Sequence, residues 1–252
     1  MLDPLKRSHA MKAEIQPSRR IFLSLLPAVT AGLAAPAVSA AQKQGTHWGM
    51  LIDTRRCIGC QACTMACAME NALPEGQFRT TAATYAVTTS EGRSGVAMVP
   101  RLCNHCEDAP CIPVCPVGAT YKREDGIVLV DGERCVGCAY CTQACPYDAR
   151  FINHDTGKAD KCTFCSHRVD AGLLPACVET CVGGSRVFGD LNDPASEISK
   201  RLRAAQGKTS VLKVEAGTKP NVFYIGLDKE LSGRVAGPSA AEMMWRPAQH
   251  GA

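Results

Sequence analysis

Aromatic residues are scarce, 5% of 252 positions, so organic side chains alone make a thin core for a length that one domain can fill. No Ser–His–Asp pattern, no nucleotide-binding glycine loop and no carboxylate pair placed for acid–base work occurs. The chain is therefore not expected to turn over a substrate, or to bind a small-molecule substrate directly. An excess of one charge is missing too. The formal net charge is +4, but the first 40 residues hold five basic and two acidic side chains, which leaves the remainder near +1. That balance gives no reason to expect a nucleic-acid partner. Nor is there a run of the roughly 20 apolar residues that a bilayer-spanning helix needs. The longest, Ile21 to Ala35, is interrupted by Pro27, Thr30 and Gly32.

What the chain has in quantity is cysteine: 16 residues in four groups of four, none left over. In the stretch Arg134 to Arg150, Cys135, Cys138 and Cys141 are spaced C-x2-C-x2-C, Cys145 follows after three residues, and Pro146 stands next. That is the bacterial ferredoxin run for a [4Fe–4S] cubane. Three thiolates two residues apart can wrap three corners of one cluster from a tight loop. The fourth lies further along a starting helix, displaced by about 6 Å at 1.5 Å per residue, and so is directed at a different cluster, as in two-cluster ferredoxins. Cys57, Cys60, Cys63 and Cys67 repeat this spacing without the proline. Cys103, Cys106, Cys111 and Cys115 follow C-x2-C-x4-C-x3-C, with Pro116 next. Cys162 and Cys165 are followed, across a longer loop, by Cys177 and Cys181. Four [4Fe–4S] clusters are expected, coupling metal insertion to folding.

Two other uses of cysteine compete with that expectation. Disulfide frameworks belong to short exported chains that cannot build a core, and have no need of four near-identical spacings. Zinc takes two C-x2-C pairs, which leaves unexplained a third cysteine in step and the C-x3-C-P ending. His105 stands between Cys103 and Cys106, and histidine replaces cysteine at some iron–sulfur sites. With every cysteine placed, hydrogen bonding or surface contact is the expectation for it.

Ser18-Arg19-Arg20-Ile21-Phe22-Leu23 resembles the twin-arginine export signal, with Ser24 where lysine is commonest, and Val38-Ser39-Ala40 offers small residues for cleavage after Ala40. Residues 1–40 are therefore expected to be a signal peptide and the mature protein to be periplasmic. The two features explain each other. Thiols exported unfolded into an oxidising compartment would pair as disulfides, whereas the twin-arginine route carries folded, cofactor-loaded proteins. Clusters would bring the mature chain to a net charge of roughly −7, at about −2 for each. Arg55, Arg56, Arg134 and Lys161, each close before a cysteine group, are candidates to offset it.

His47 to Asp53 reads as a strand, Phe78 to Val99 as a hairpin about Ser90-Glu91-Gly92-Arg93, and Gly126 to Asp131 as a short strand. The unit of cysteines, Cys-Pro, short hairpin and cysteines recurs, which predicts an α+β fold of repeated ferredoxin-like cluster-binding domains. Beyond Asp190 the cysteines stop. Asp193-Pro194 can open a helix running to about Gln206, and Thr209–Val214 and Asn221–Leu227 read as two strands about a Glu215–Thr218 turn. Residues after Ser232 look loosely ordered.

Long strings carry a resemblance: 47–71 (HWGMLIDTRRCIGCQACTMACAMEN), 101–131 (RLCNHCEDAPCIPVCPVGATYKREDGIVLVD) and 134–190, with its CPYDARFINH. They resemble the iron–sulfur subunits of the molybdopterin oxidoreductase family. Phe78-Arg79-Thr80-Thr81 and Asn221 to Asp228 narrow the likeness to the branch serving tetrathionate reduction. The resemblance implies paired groups, the first with the fourth and the second with the third. One cluster would take Cys57, Cys60, Cys63 and Cys181, and its partner Cys162, Cys165, Cys177 and Cys67. The inner pair would be Cys103, Cys106, Cys111 with Cys145, and Cys135, Cys138, Cys141 with Cys115. Some relatives have tryptophan in place of one third-group cysteine; Cys138 occupies that position here. The implied organisation is a four-cluster domain over 41–190, its outer pair from 47–100 with 160–190 and its inner pair from 101–159, followed by a helix/strand extension and tail over 191–252. The implied partners are a molybdopterin-containing catalytic subunit and a membrane-embedded quinol-oxidising subunit. The implied role is electron transfer without catalysis; the equivalent subunit of a polysulfide or thiosulfate enzyme, and a structural metal-binding module with no redox role, are the alternatives.

Overall fold

The computed structural model describes residues 45–88 and 94–227. The expected signal peptide, the turn at Ser90–Arg93 and the tail beyond Leu227 lie outside the described residues. The first strand, β1 (Trp48–Asp53), is buried along nearly its whole length. Its run Met50-Leu51-Ile52 is apolar without alternation because both faces are covered. It leads through a turn into the first cysteine loop and α1 (Ala62–Glu70), which carries Cys63 and Cys67. The hairpin of β2 (Thr80–Thr88) and β3 (Ser94–Leu102) follows, in register from Thr80↔Leu102 to Thr88↔Ser94. Gln61 ties helix to hairpin: its amide donates to the Ala82 carbonyl at 2.6 Å and accepts from the Ala82 N–H at 3.2 Å.

The predicted repeat is present. After Cys115-Pro116 comes the three-residue hairpin of β4 (Thr120–Lys122) and β5 (Val128–Val130). The short helix α2 (Tyr140–Gln143) carries Cys141. After Cys145-Pro146 comes a second hairpin of the same size, β6 (Arg150–Ile152) with β7 (Ala159–Lys161). The last group rides on α3 (Ser166–Asp170) and α4 (Ala176–Glu179), and the chain leaves it along β8 (Arg186–Asp190).

Residues beyond 190 depart from the expected layout in two ways. The helix α5 spans Glu197–Ala204, and Pro194 is not its first residue. Ser196 caps it, its Oγ accepting from the Ser199 N–H at 3.2 Å, which satisfies a backbone donor that nothing at Asp193-Pro194 can serve. The expected strand at Thr209–Val214 shrinks to β9 (Thr209–Ser210), and Val214–Ala216 is a 3-10 turn. The final strand, β10 (Val222–Ile225), inserts beside β1 to complete a four-stranded sheet in the order β8-β1-β10-β9. It runs parallel to β1, with Leu51 opposite Phe223, while β8 runs antiparallel on the other side. The segment thus belongs to the same packed body as the cysteine loops: Leu212, Val222, Tyr224 and Leu227 share one core with Cys63, Cys103 and Cys162.

Candidate metal centres

The first C-x2-C turn of each group holds a residue of positive φ immediately before its second cysteine: Gly59 at 68°, His105 at 44°, Gly137 at 70° and Phe164 at 51°. This conformation closes a tight loop and brings the two flanking thiols to one side. Three of the loops then run into α1, α2 and α3, whose first turns carry or follow the next thiol.

The sixteen cysteines are all free and gather in four sets. In the first, the Cys57 thiol faces those of Cys63 and Cys181, and Cys60 lies exposed in the same loop. In the second, Cys67, Cys162, Cys165 and Cys177 line one cavity. Cys103, Cys106, Cys111 and Cys145 line the third, and Cys115, Cys135, Cys138 and Cys141 the fourth. The fourth cysteine of each group therefore lies with the thiols of another. Burial and neighbouring thiols push the Cys67 thiol up to about 12 and the Cys177 thiol to about 11. Burial likewise raises Cys106 to about 12 and Cys145 to about 11.

These cavities fit a group bearing several sulfur acceptors. Among the described residues, Asn104 Nδ2, His105 Nε2 and Arg150 Nε and Nη2 are buried nitrogens without a hydrogen-bond partner, and all three residues line the third cavity. Backbone donors point at the thiols themselves: Ala119 N–H to Cys115 Sγ at 3.2 Å, Ala159 to Cys135 at 3.4 Å, Phe164 to Cys162 at 3.4 Å and Ser185 to Cys181 at 3.2 Å. Such N–H···S bonds are among the features that set iron–sulfur potentials. Among the described residues no cluster of three or more His, Cys, Asp or Glu side chains closes on a single ion.

His105 is completely buried and hydrogen-bonded, its Nδ1 accepting from the Val128 N–H at 3.0 Å. Burial holds its ring well below the usual histidine range. Of the four bases proposed to offset charge, Arg55 is spent on Asp53, at 2.7 Å, and only Lys161 is buried among the thiols. Two further bases buried against the thiols, Arg150 and Arg186, carry no such signal in the sequence. Each stands five residues after the fourth cysteine of its group, a C-x4-R spacing shared by Cys145 and Cys181.

Comparison with known proteins adds to this geometry. A family described as a 4Fe-4S dicluster domain matches residues 95–191, and another of the same description matches residues 56–119. A tetrathionate reductase subunit of Salmonella typhimurium is 56% identical over 84% of this chain and 89% of its own. Its namesake from Archaeoglobus fulgidus is 46% identical over 73% of this chain and 84% of its own. A putative dimethyl sulfoxide reductase iron–sulfur subunit from Halobacterium salinarum is 44% identical over 71% of this chain and 79% of its own. With cysteine-lined cavities and these relatives, the chain belongs to the family of reductase iron–sulfur subunits that includes those two tetrathionate reductase proteins, electron-transfer rather than catalytic subunits.

Proposed function

We propose that the chain holds four [4Fe–4S] clusters, one in each set of cysteines, and is the electron wire of a periplasmic tetrathionate reductase complex. Bound there, each cluster takes up and gives back one electron. Electrons would pass from a membrane-embedded quinol-oxidising subunit to a molybdopterin-containing catalytic subunit. The observation that carries this reading is the serial arrangement of the thiols. Arg186 touches thiols of the first and second sets, Cys162 of the second faces Cys103 of the third, and Arg150 faces thiols of the third and fourth.

The ends of the series support two docking sites. Cys60 and Cys138 are the two exposed cysteines, in the first and fourth sets respectively. Ile58 and Val182 are exposed beside the first set, and Val136 and Tyr140 beside the fourth. An electron that must cross to another protein needs a shallowly covered cluster, and exposed apolar side chains around it suit a protein partner. Export by the twin-arginine route rests on Ser18 to Leu23 and on the need to load iron before crossing.

Iron and sulfide analysis of anaerobically purified protein, with mass spectrometry of co-purified partners, tests the reading. About 16 iron per chain is expected, with a molybdopterin subunit and a membrane subunit recovered alongside. Near-zero iron removes the clusters. Clusters that cannot be reduced between about −700 and +450 mV leave a structural metal module. Deletion that abolishes polysulfide, thiosulfate or sulfoxide reduction while tetrathionate respiration persists assigns the chain to a sister enzyme.

A further inference from the structure

Several partly buried cations of the fold are already paired. Arg79 pairs with Asp160 at 2.6 Å, Arg123 with Asp170 at 2.7 Å and Arg168 with Glu70 at 2.9 Å. Three buried bases differ. Arg186 is 3% exposed, Lys161 1% and Arg150 6%, and among the described residues none of the three forms an ion pair with a carboxylate. A fourth buried base, Arg101, also lacks a carboxylate partner among the described residues and gives Nη2 to the Tyr147 carbonyl at 3.0 Å. Burying a cation without a counter-charge costs several kcal/mol even after relaxation. The fold places these three where no carboxylate of the described residues pairs with them.

Their positions follow the series of cysteine sets. Arg186 Nη2 lies 3.4 Å from Cys63 Sγ of the first set, and Nη1 lies 3.7 Å from Cys177 Sγ of the second. Lys161 Nζ donates to the Cys162 carbonyl at 2.8 Å and to the Val128 carbonyl. Its charge is felt by Cys162 of the second set and by Cys103 and Cys111 of the third. Arg150 faces Cys111 and Cys103 of the third set and Cys141 of the fourth. It leaves Nε and Nη2 without a hydrogen bond and gives Nη1 to Thr120 Oγ1 at 3.2 Å; Thr120 lines the fourth cavity. One unpaired cation therefore stands at each of the three steps.

We propose that Arg186, Lys161 and Arg150 are internal counter-ions, one between each pair of neighbouring clusters, which raise the reduction potentials of both neighbours and offset the repulsion between them. This rests on the four-cluster reading above. Each cubane with four thiolates is an anion that becomes more negative on reduction. An electron arriving on one cluster therefore opposes reduction of the next. A fixed cation facing thiols of both sets would be attracted to both clusters, most strongly to whichever is reduced, and so would ease the hand-over. The same attraction balances the cation's own burial. These are positioning residues; none need exchange a proton or an electron.

The test is a redox titration of the purified complex followed by EPR, in Arg186→Gln, Lys161→Met and Arg150→Gln variants. Each neutral variant should lower the potentials of its two flanking clusters alone: first and second for Arg186, second and third for Lys161, third and fourth for Arg150. The expected loss is about tenfold or more in each reduction equilibrium, where a decade is 59 mV for one electron. Arg186→Lys, Arg150→Lys and Lys161→Arg should keep the potentials close to those of the parent. Full iron content with no shift, or an equal shift of all four clusters, overturns the proposal. If a neutral variant loses iron, recovery in its charge-keeping counterpart supports a counter-ion, while loss in both overturns it in favour of a purely steric role. A parent protein lacking about 16 iron per chain fails the four-cluster reading instead.

Discussion

His105 and Phe164 stack ring on ring, centroids 3.7 Å apart, each in the left-handed region and each immediately before the second cysteine of its C-x2-C turn. In the loops of the first and fourth sets the same position is Gly59 or Gly137. The two middle loops have thus given up the residue that adopts this conformation freely, and the strain of a left-handed side chain is of order 1–3 kcal/mol. The return is packing where the second and third cavities meet: Phe164 also sets its edge against Phe188, which stacks on Trp48. Phe164→Ala is expected to lower the unfolding free energy by about 3–5 kcal/mol. His105→Gly should cost less than His105→Ala, because glycine relieves the backbone. Denaturant unfolding followed by loss of cluster absorbance measures both; equal costs for the two histidine variants would show that the backbone is unstrained.

Gly137 is held by contact as well as by φ. A Cβ there would stand 2.3 Å from the Gly157 carbonyl oxygen, so the cysteine loop must move off the hairpin of β6 and β7. Gly76 has a similar φ of 76° but nothing within 4 Å of an added Cβ. Gly76→Ala should therefore cost only about 1 kcal/mol, the conformational part. Gly137→Ala should cost clearly more and weaken the site holding Cys135 and Cys138 before the others. Thermal unfolding and EPR of the two variants check this, and similar effects on both would show that the close approach does not matter.

The spacing inside the first and third cysteine groups was legible because it is local: in Cys57–Cys67 and Cys135–Cys145 a C-x2-C turn and a thiol on the next helical turn lie within about ten residues, whereas the set that each fourth thiol joins in space is given by the resemblance and not by spacing. The two short hairpins were legible for the same reason, each following a Cys-Pro pair. The parallel pairing of β10 with β1 was not, since Leu51 and Phe223 are brought together by the sheet alone and neither strand's pattern names its neighbour. The start of α5 failed because Asp193-Pro194 and Ser196 both carry opening signals, and only the geometry shows that Ser196 Oγ bonds the Ser199 N–H. Arg150 and Arg186 were hidden by their charge. A basic residue is ordinarily a surface residue, and nothing in a short strand such as Arg150-Phe151-Ile152 announces that its first side chain points inward.

The buried thiols fix a pH response for the iron-free chain. Burial, with help from neighbouring thiols, raises Cys67 to about 12 from an ordinary value of 9.0, and Cys106 likewise to about 12. A raised acid binds more protons folded than unfolded, so stability must fall as pH rises between the two values. Reduced, iron-free protein should thus lose stability progressively from about pH 9 to about pH 12. The loaded protein, its thiols already deprotonated on iron, should lack this dependence. Urea midpoints measured across that range for both forms decide it; a flat profile for the iron-free chain would contradict the buried, protonated thiols.

Cys67 belongs to the first group in sequence but lies with the last in space. Its thiol shares a cavity with Cys162, Cys165 and Cys177, and Asn71 Nδ2, 3.6 Å from Cys67 Sγ, also reaches Cys165 Sγ at 4.0 Å. Cys181 makes the return crossing, facing Cys57. Metal bound across these sets would close a loop of about a hundred residues, for which the chain-entropy cost falls on the unfolded state, and would join the first cysteine loop and the last into one folding unit. Cys67→Ser and Cys162→Ser should therefore perturb the same EPR signal, and Cys57→Ser and Cys181→Ser a different one. If ligation were local, Cys67→Ser would instead damage the cluster of Cys57, Cys60 and Cys63. That grouping would leave the count of cysteines intact but remove the crossed arrangement, and with it the reason for Arg186 to stand between Cys63 and Cys177.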